Sequence, residues 1–177
     1  MSSASHMPPV MTELGQGFKL HMLIRPFQTT DAKQLSALFH ASVRRAGLHH
    51  YSAEQVEAWS PTPPDPELYI QRSLDGRVFL VAVSENGAQT GYGDLEMSGH
   101  IDHLYCHADF IGKGIGSALY RALEKAAHDQ GIKTLFVEAS EGARILFEKN
   151  GFIVQKRNDF MLKAVPIHNY QMSKQLA

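Results

Sequence analysis

Cysteine is nearly absent from this 177-residue chain, which has one, and no long apolar run is present at all. A lone thiol, Cys106, excludes an internal disulfide framework and a cysteine-rich zinc module. Without an apolar stretch near the roughly 20 residues that span a bilayer, no membrane-crossing helix is expected. No basic region followed by an apolar one opens the chain, so no secretory signal is visible and a cytoplasmic location is expected. Neither sign of charge is in excess: 17 Lys and Arg stand against 18 Asp and Glu, a net charge of −1 with His neutral. Nucleic acid and membrane surfaces are therefore not expected partners. What is present is a 44% hydrophobic chain of one-domain length, enough for a core without staples. Its 10 histidines should turn the net charge positive in mild acid.

Residues 1–21 are rich in Ser, Pro and Gly and show no period. They read as a flexible leader, native or introduced with cloning, ahead of a domain at 22–177. Met22 to Arg25 reads as a strand ended by Pro26. Thr30 and Asp31 start a helix carrying Leu35, Leu38, Phe39 and Val43, which Gly47 stops. Ser52 starts a second helix through Val56 and Trp59, broken by Pro61, Pro63, Pro64 and Pro66. Residues 78–106 read as a three-strand antiparallel meander, with turns at Asn86-Gly87 and Ser98-Gly99 and a third strand from His100 to Cys106. Ile115, Ala118, Leu119, Ala122, Leu123 and Ala126 form one apolar helical stripe. A strand at 134–139, a helix to Lys149 and two final strands complete the order.

Between the meander and the striped helix lies Gly112-Lys113-Gly114-Ile115-Gly116. Alternating glycines let backbone amides approach an anion without Cβ obstruction, and the helix N-terminus adds free N–H groups. The spacing matches neither G-x-x-x-x-G-K-S/T nor G-x-G-x-x-G, and the preceding strand belongs to a meander rather than a βαβ unit.

The run from His103 through Leu119 resembles the acetyl-CoA signature of the GNAT N-acetyltransferase superfamily. In that signature a strand is followed by Gln or Arg, two residues, a glycine, one residue, then glycine or alanine at a helix start. Ser140 to Phe152, a helix ending at Gly151-Phe152, resembles the family's second motif. The resemblance covers about Met22 to Leu176. Tyr51-Ser52-Ala53-Glu54-Gln55 with Trp59, and the Gly99-His100-Ile101-Asp102 segment, are similar to small bacterial GNAT proteins of the YafP-like type.

The resemblance implies an α/β (α+β) GNAT fold, a mixed, mostly antiparallel twisted sheet of about seven strands with about four helices. It implies an acetyl-CoA-dependent N-acetyltransferase acting on a primary amine, a small molecule rather than a protein, by direct attack with general-base catalysis. Acetyl-CoA would lie on Leu104, Tyr105, Cys106, Gly112, Lys113, Gly114, Ile115, Gly116, Ser117, Ser140 and Phe147. Ile111 stands where the family has Gln or Arg, and Phe147 where many members place an acidic Tyr. Tyr105, Tyr120, Tyr170 or water are the replacement acids. His100 matches a general-base position, and Asp102, two residues on along one strand face, would orient it. Tyr51, Trp59 and Glu96, with Asp94 and Asn169, are the expected acceptor-side residues. A metal site and a Cys106 nucleophile are set aside, and the oligomer is monomer or homodimer. The alternative is a non-catalytic acyl-CoA-binding sensor or interaction module, which Phe147 and Ile111 keep open.

Overall fold

A computed structural model describes residues 10–11 and 22–177. The expected leader therefore falls outside the described residues, except for β1 (Val10–Met11), which pairs antiparallel with β2 (Met22–Pro26). Strand β3 (Val78–Ser84) reads Val-Phe-Leu-Val-Ala-Val without polar alternation because both its faces are covered. Phe79 and Val81 pack on one side with helices α1 (Ala32–Ala41), α2 (Ala53–Trp59) and α3 (Glu67–Arg72). Leu80 and Ala82 pack on the other with helix α4 (Ile115–Asp129). A strand buried on both sides needs no solvent face.

The first sheet runs β1-β2-β3-β4-β5, all antiparallel, with β4 at Gln89–Leu95 and β5 at Leu104–Cys106. The second runs β6-β8-β7, with β6 at Thr134–Ala139, β7 at Ile153–Leu162 and β8 at Val165–Gln175. One parallel bridge, His100 to Phe136, joins them and makes the whole mixed, as expected. Beyond the bridge β5 and β6 separate: among the described residues β5 pairs only with β4 and β6 only with β8. That divergence opens the space in which the site lies. Helix α5 (Glu141–Lys149) follows β6 directly, capped by Ser140, whose hydroxyl accepts from Ala143 N–H at 3.2 Å. None of the described helices is long and apolar enough to cross a membrane.

The stripe on α4 is buried as its period predicts, with Leu119 and Leu123 fully covered. It seats closely because β4 carries glycine at the contact. A Cβ on Gly91 would stand 2.9 Å from Ile115 Cγ2 and 3.0 Å from Leu119 Cδ1. The Ser52 start of α2 holds as a capping box: Ser52 Oγ accepts from Gln55 N–H at 3.1 Å, and Gln55 Oε1 accepts from Ser52 N–H at 2.9 Å.

The third meander strand is shorter than expected. Only Leu104–Cys106 is strand, and residues 101–103 are not. The buried Asp94 carboxylate accepts the His103 N–H at 2.8 Å, and Ile101 N–H turns across to Phe136 O at 3.0 Å. Donors used this way cannot continue a regular ladder with β4.

Candidate active site

Two cavities occupy the divergence of β5 and β6. The larger, a groove with about 1390 Å³ of empty space, runs between the start of α4, the start of α5 and the segment linking α1 to α2. The smaller, the inner pocket, has about 770 Å³ of empty space and lies between β5, β6, the start of α5 and the facing ends of β7 and β8. They share Tyr51, Trp59, Leu104, Tyr105, Ser140 and Ala143, so the two adjoin along these residues.

The groove is built largely from the glycine signature. Leu104, Tyr105, Cys106, Gly112, Gly114, Ile115, Gly116, Ser117 and Ser140 all line it. Gly114 caps α4 with φ +81°, and Gly112 has φ +78°, both in the left-handed region that favours glycine. Their conformations turn the loop over the helix start, and the outer edge of β5 has no strand partner among the described residues. An extended chain with amides fits such an edge, and an anionic group fits free N–H donors at a helix N-terminus. Two expected residues are placed elsewhere. The Lys113 side chain is not part of the lining, and its ammonium stands over the ring of Phe110, a groove residue, at 4.8 Å in a cation–π contact. Phe147, 1% exposed, lines the inner pocket instead, packed edge-on to Phe152 with ring centroids 4.9 Å apart.

Tyr51 and Trp59 stand at the junction of the cavities, ring centroids 5.6 Å apart and nearly perpendicular. Asn169 also lines the inner pocket. Glu96 and Asp94 do not border it. Glu96 lies 3.3 Å from Arg77 Nη2 and 3.4 Å from His100 Nδ1. Asp94 is fully buried between Arg72 and Arg77, at 2.7 and 2.9 Å.

The expected His100–Asp102 pair does not form, because the strand that would align them is absent. His100 stacks flat on Phe136, ring centroids 4.8 Å apart, and its Nε2 lies 2.6 Å from Glu138 Oε2. Glu138 lines the inner pocket and His100 does not. Asp102 does line it, but Arg72 Nη2 donates to its Oδ2 at 2.5 Å. Burial pushes that carboxyl up, yet the Arg72 bond and nearby His103 and His100 outweigh it and hold it below the ordinary range. Asp102 is thus a charge already paired, unsuited to taking a proton.

The remaining candidates sort by contact. Burial pushes the Cys106 thiol up to about 11, so it is not a thiolate at neutral pH. Tyr120 lies behind Phe147 and accepts from Lys174 Nζ at 3.2 Å. The Tyr170 hydroxyl donates to Glu141 Oε2 at 2.9 Å. Tyr105 borders both cavities, and burial raises its phenol well above the ordinary range, keeping it protonated. The lower and outer wall, Glu138, Phe160, Leu162, Ile167 and His168, was not expected. No local motif marks it: these residues meet only when β8 pairs beside β6 and β7 beside β8.

Residues 47–174 match a family model described as an acetyltransferase (GNAT) domain. The uncharacterized N-acetyltransferase YafP of Escherichia coli (strain K12) is 27% identical over 149 residues, spanning 84% of this chain and 93% of the relative. Among solved structures, a GCN5-related N-acetyltransferase from Rhodopseudomonas palustris matches with a TM-score of 0.79 at 34% identity, covering 97% of this chain and 99% of that one. A GNAT superfamily phosphinothricin acetyltransferase (Pat) from Sinorhizobium meliloti, in complex with AcCoA, has a TM-score of 0.70 at 21% identity, covering 88% of each chain.

Proposed function

The chain belongs to the GNAT acetyltransferase family, and we propose from this that it moves an acetyl group from acetyl-CoA to a primary amine by direct attack in a ternary complex. The observation that carries this reading is that the groove adjoins the inner pocket along Tyr51, Trp59, Leu104, Tyr105, Ser140 and Ala143. Ligands in the two cavities abut there. Direct attack needs that juxtaposition and no covalent enzyme intermediate.

Bound acetyl-CoA supplies the thioester whose carbonyl carbon the free amine attacks. The free edge of Leu104–Cys106 receives the amides of its pantetheine arm, and the loop from Gly112 to Ser117 faces its pyrophosphate with backbone N–H groups. Ile111 in place of Gln or Arg costs little here, because the cradle is backbone. Tyr105 borders both cavities, but its ring packs against Phe39 and Tyr92, so the departing sulfur takes its proton from the attacking amine rather than from a dedicated acid. Trp59 and Tyr51 take the body of the acceptor. A recessed pocket walled by Tyr51, Trp59, Phe160, Leu162 and Ile167 suits a small amine better than a folded protein surface.

A second reading, a non-catalytic acyl-CoA binder, is favoured by Phe147, which puts a phenyl ring where many family members carry a hydroxyl. The two readings separate in one assay, coenzyme A release from acetyl-CoA across a panel of primary amines. Release that depends on the amine supports the transferase. Acetyl-CoA binding by calorimetry with no amine-dependent release from any member of the panel supports the binder.

A further inference from the structure

We infer that His168, oriented by Glu141, is the base that takes the acceptor's proton, and that the acceptor reaches it through an outer hollow separate from the acetyl-CoA groove. The inference deepens the transferase reading and rests on it.

Position comes first. His168 lines the inner pocket and also a second hollow on the surface, bordered by Gln55, Arg157, Asp159, Phe160 and Met161. Phe160, Ile167 and His168 are common to both, and no residue of the outer hollow borders the groove. An amine arriving through the outer hollow passes the imidazole before it reaches the junction with the groove. The apolar side chains at this neck favour an acceptor with an apolar body behind its ammonium.

Tautomer comes second. His168 Nε2 stands 2.6 Å from Glu141 Oε2. An ionised carboxylate only accepts, so Nε2 carries the proton and the lone pair lies on Nδ1. No hydrogen bond occupies Nδ1 among the described residues. Glu141 is itself held by the Tyr170 hydroxyl at 2.9 Å and by Arg144 Nη2 at 3.0 Å, and its backbone N–H donates to Tyr51 Oη at 2.8 Å. A base oriented by a third group that is fixed in turn is the arrangement proton abstraction requires. His100 differs on this point. Its Nε2 is 2.6 Å from Glu138 and its Nδ1 3.4 Å from Glu96, so a carboxylate stands beside each nitrogen, and the ring does not line the inner pocket.

In the reaction so assigned, His168 Nδ1 takes one proton from the ammonium and passes it to solvent. The freed amine forms the C–N bond as the thioester C–S bond breaks. The electron pair leaves with sulfur, which gains the second amine proton, so one proton is released per turnover. Besides Glu141, the titratable and charged groups around the imidazole are Tyr51 from the α1–α2 link, Arg144 on α5, Tyr170 on β8, and Asp159 and Arg157 on β7. Asp159 is the cross-strand partner of His168.

The test measures kcat/KM against pH for amine-dependent coenzyme A release, with acetyl-CoA affinity followed by calorimetry. His168→Gln is expected to lose at least about a hundredfold, to lose the acidic limb of the profile, and to keep acetyl-CoA affinity. Added imidazole should restore part of the rate to His168→Ala. Should His168→Gln not fold, Glu141→Gln keeps the ring but loosens its tautomer, and a shifted acidic limb is expected; an unshifted limb overturns the assignment. A His168→Gln protein with the wild-type rate and profile, the loss falling instead on His100→Ala, overturns it and leaves the transferase reading standing. Wild-type protein that binds acetyl-CoA and acetylates nothing overturns both.

Discussion

The Tyr51 hydroxyl and the Glu141 backbone amide, 90 positions apart, meet at 2.8 Å. The same hydroxyl donates to His168 O at 3.1 Å. One phenol therefore ties the α1–α2 link to the start of α5 and to β8, at the place where groove and inner pocket join. Tyr51→Phe keeps the ring against Trp59 and removes both bonds. A loss of about 1–3 kcal/mol is expected from the unsatisfied partners, at about 2–4 °C of Tm per kcal/mol for a domain of this size. The acceptor KM should rise while acetyl-CoA affinity holds. An unchanged melting curve would show that the two bonds contribute nothing.

Gly114 starts α4 with φ +81°. Any side chain there is strained by about 1–2 kcal/mol in the left-handed region, and relief of that strain would rotate the loop amides away from the groove. Gly114→Ala is expected to weaken acetyl-CoA binding at least about tenfold, taking 1.4 kcal/mol as one decade. Calorimetry with acetyl-CoA reads this directly, and wild-type affinity would remove the loop from the binding site.

Cys106 packs beside Gly116, and burial raises its thiol to about 11. Cys106→Ala should keep turnover within about threefold, and iodoacetamide should label the native thiol more slowly than free cysteine. Abolished turnover in a folded, acetyl-CoA-binding Cys106→Ala protein would point to a nucleophilic thiol instead.

His103 is half-buried, its Nδ1 3.0 Å from the Tyr92 hydroxyl, with Asp94, Asp102, Arg72 and Arg77 around it. Burial lowers its pKa from the ordinary 6.5 to about 4. As pH falls from 6.5 to 4 the unfolded chain takes a proton that the folded one refuses. This part of the stability is whole above pH 6.5 and declines toward pH 4, by up to about 3 kcal/mol. Urea titrations at pH 7 and pH 4.5 should show the decline in the wild type and a shallower one in His103→Gln. Equal declines would mean that other groups govern acid unfolding.

The parts of the fold legible in the sequence were those carried by local period and local chirality. The α4 stripe, the Asn86-Gly87 turn, the Ser52 capping box and the glycine loop each depend on residues a few positions apart. The β5 residues Leu104, Tyr105 and Cys106 were legible for the same reason, since they directly precede that loop. The reading failed where a distant side chain intervened. The buried Asp94 carboxylate takes the His103 amide and cuts the strand short. Strand alternation from His100 to Asp102 lost its basis there, and Glu96 went to Arg77 rather than to the pocket.

By itself, then, the sequence determined most of the elements, the α/β class, and a backbone cradle whose glycines only a few dihedral choices can satisfy. The tertiary structure decided which side chains share a cavity. His168 and Glu141 are 27 positions apart, on a strand and a helix with no common period. They meet because β8 pairs with β6 at a register placing Tyr170 opposite Ala139, just before α5 begins. A shift of one residue would turn every β8 side chain to the other face. No local pattern encodes that register, since the packing of whole sheets against α4 and α5 selects it.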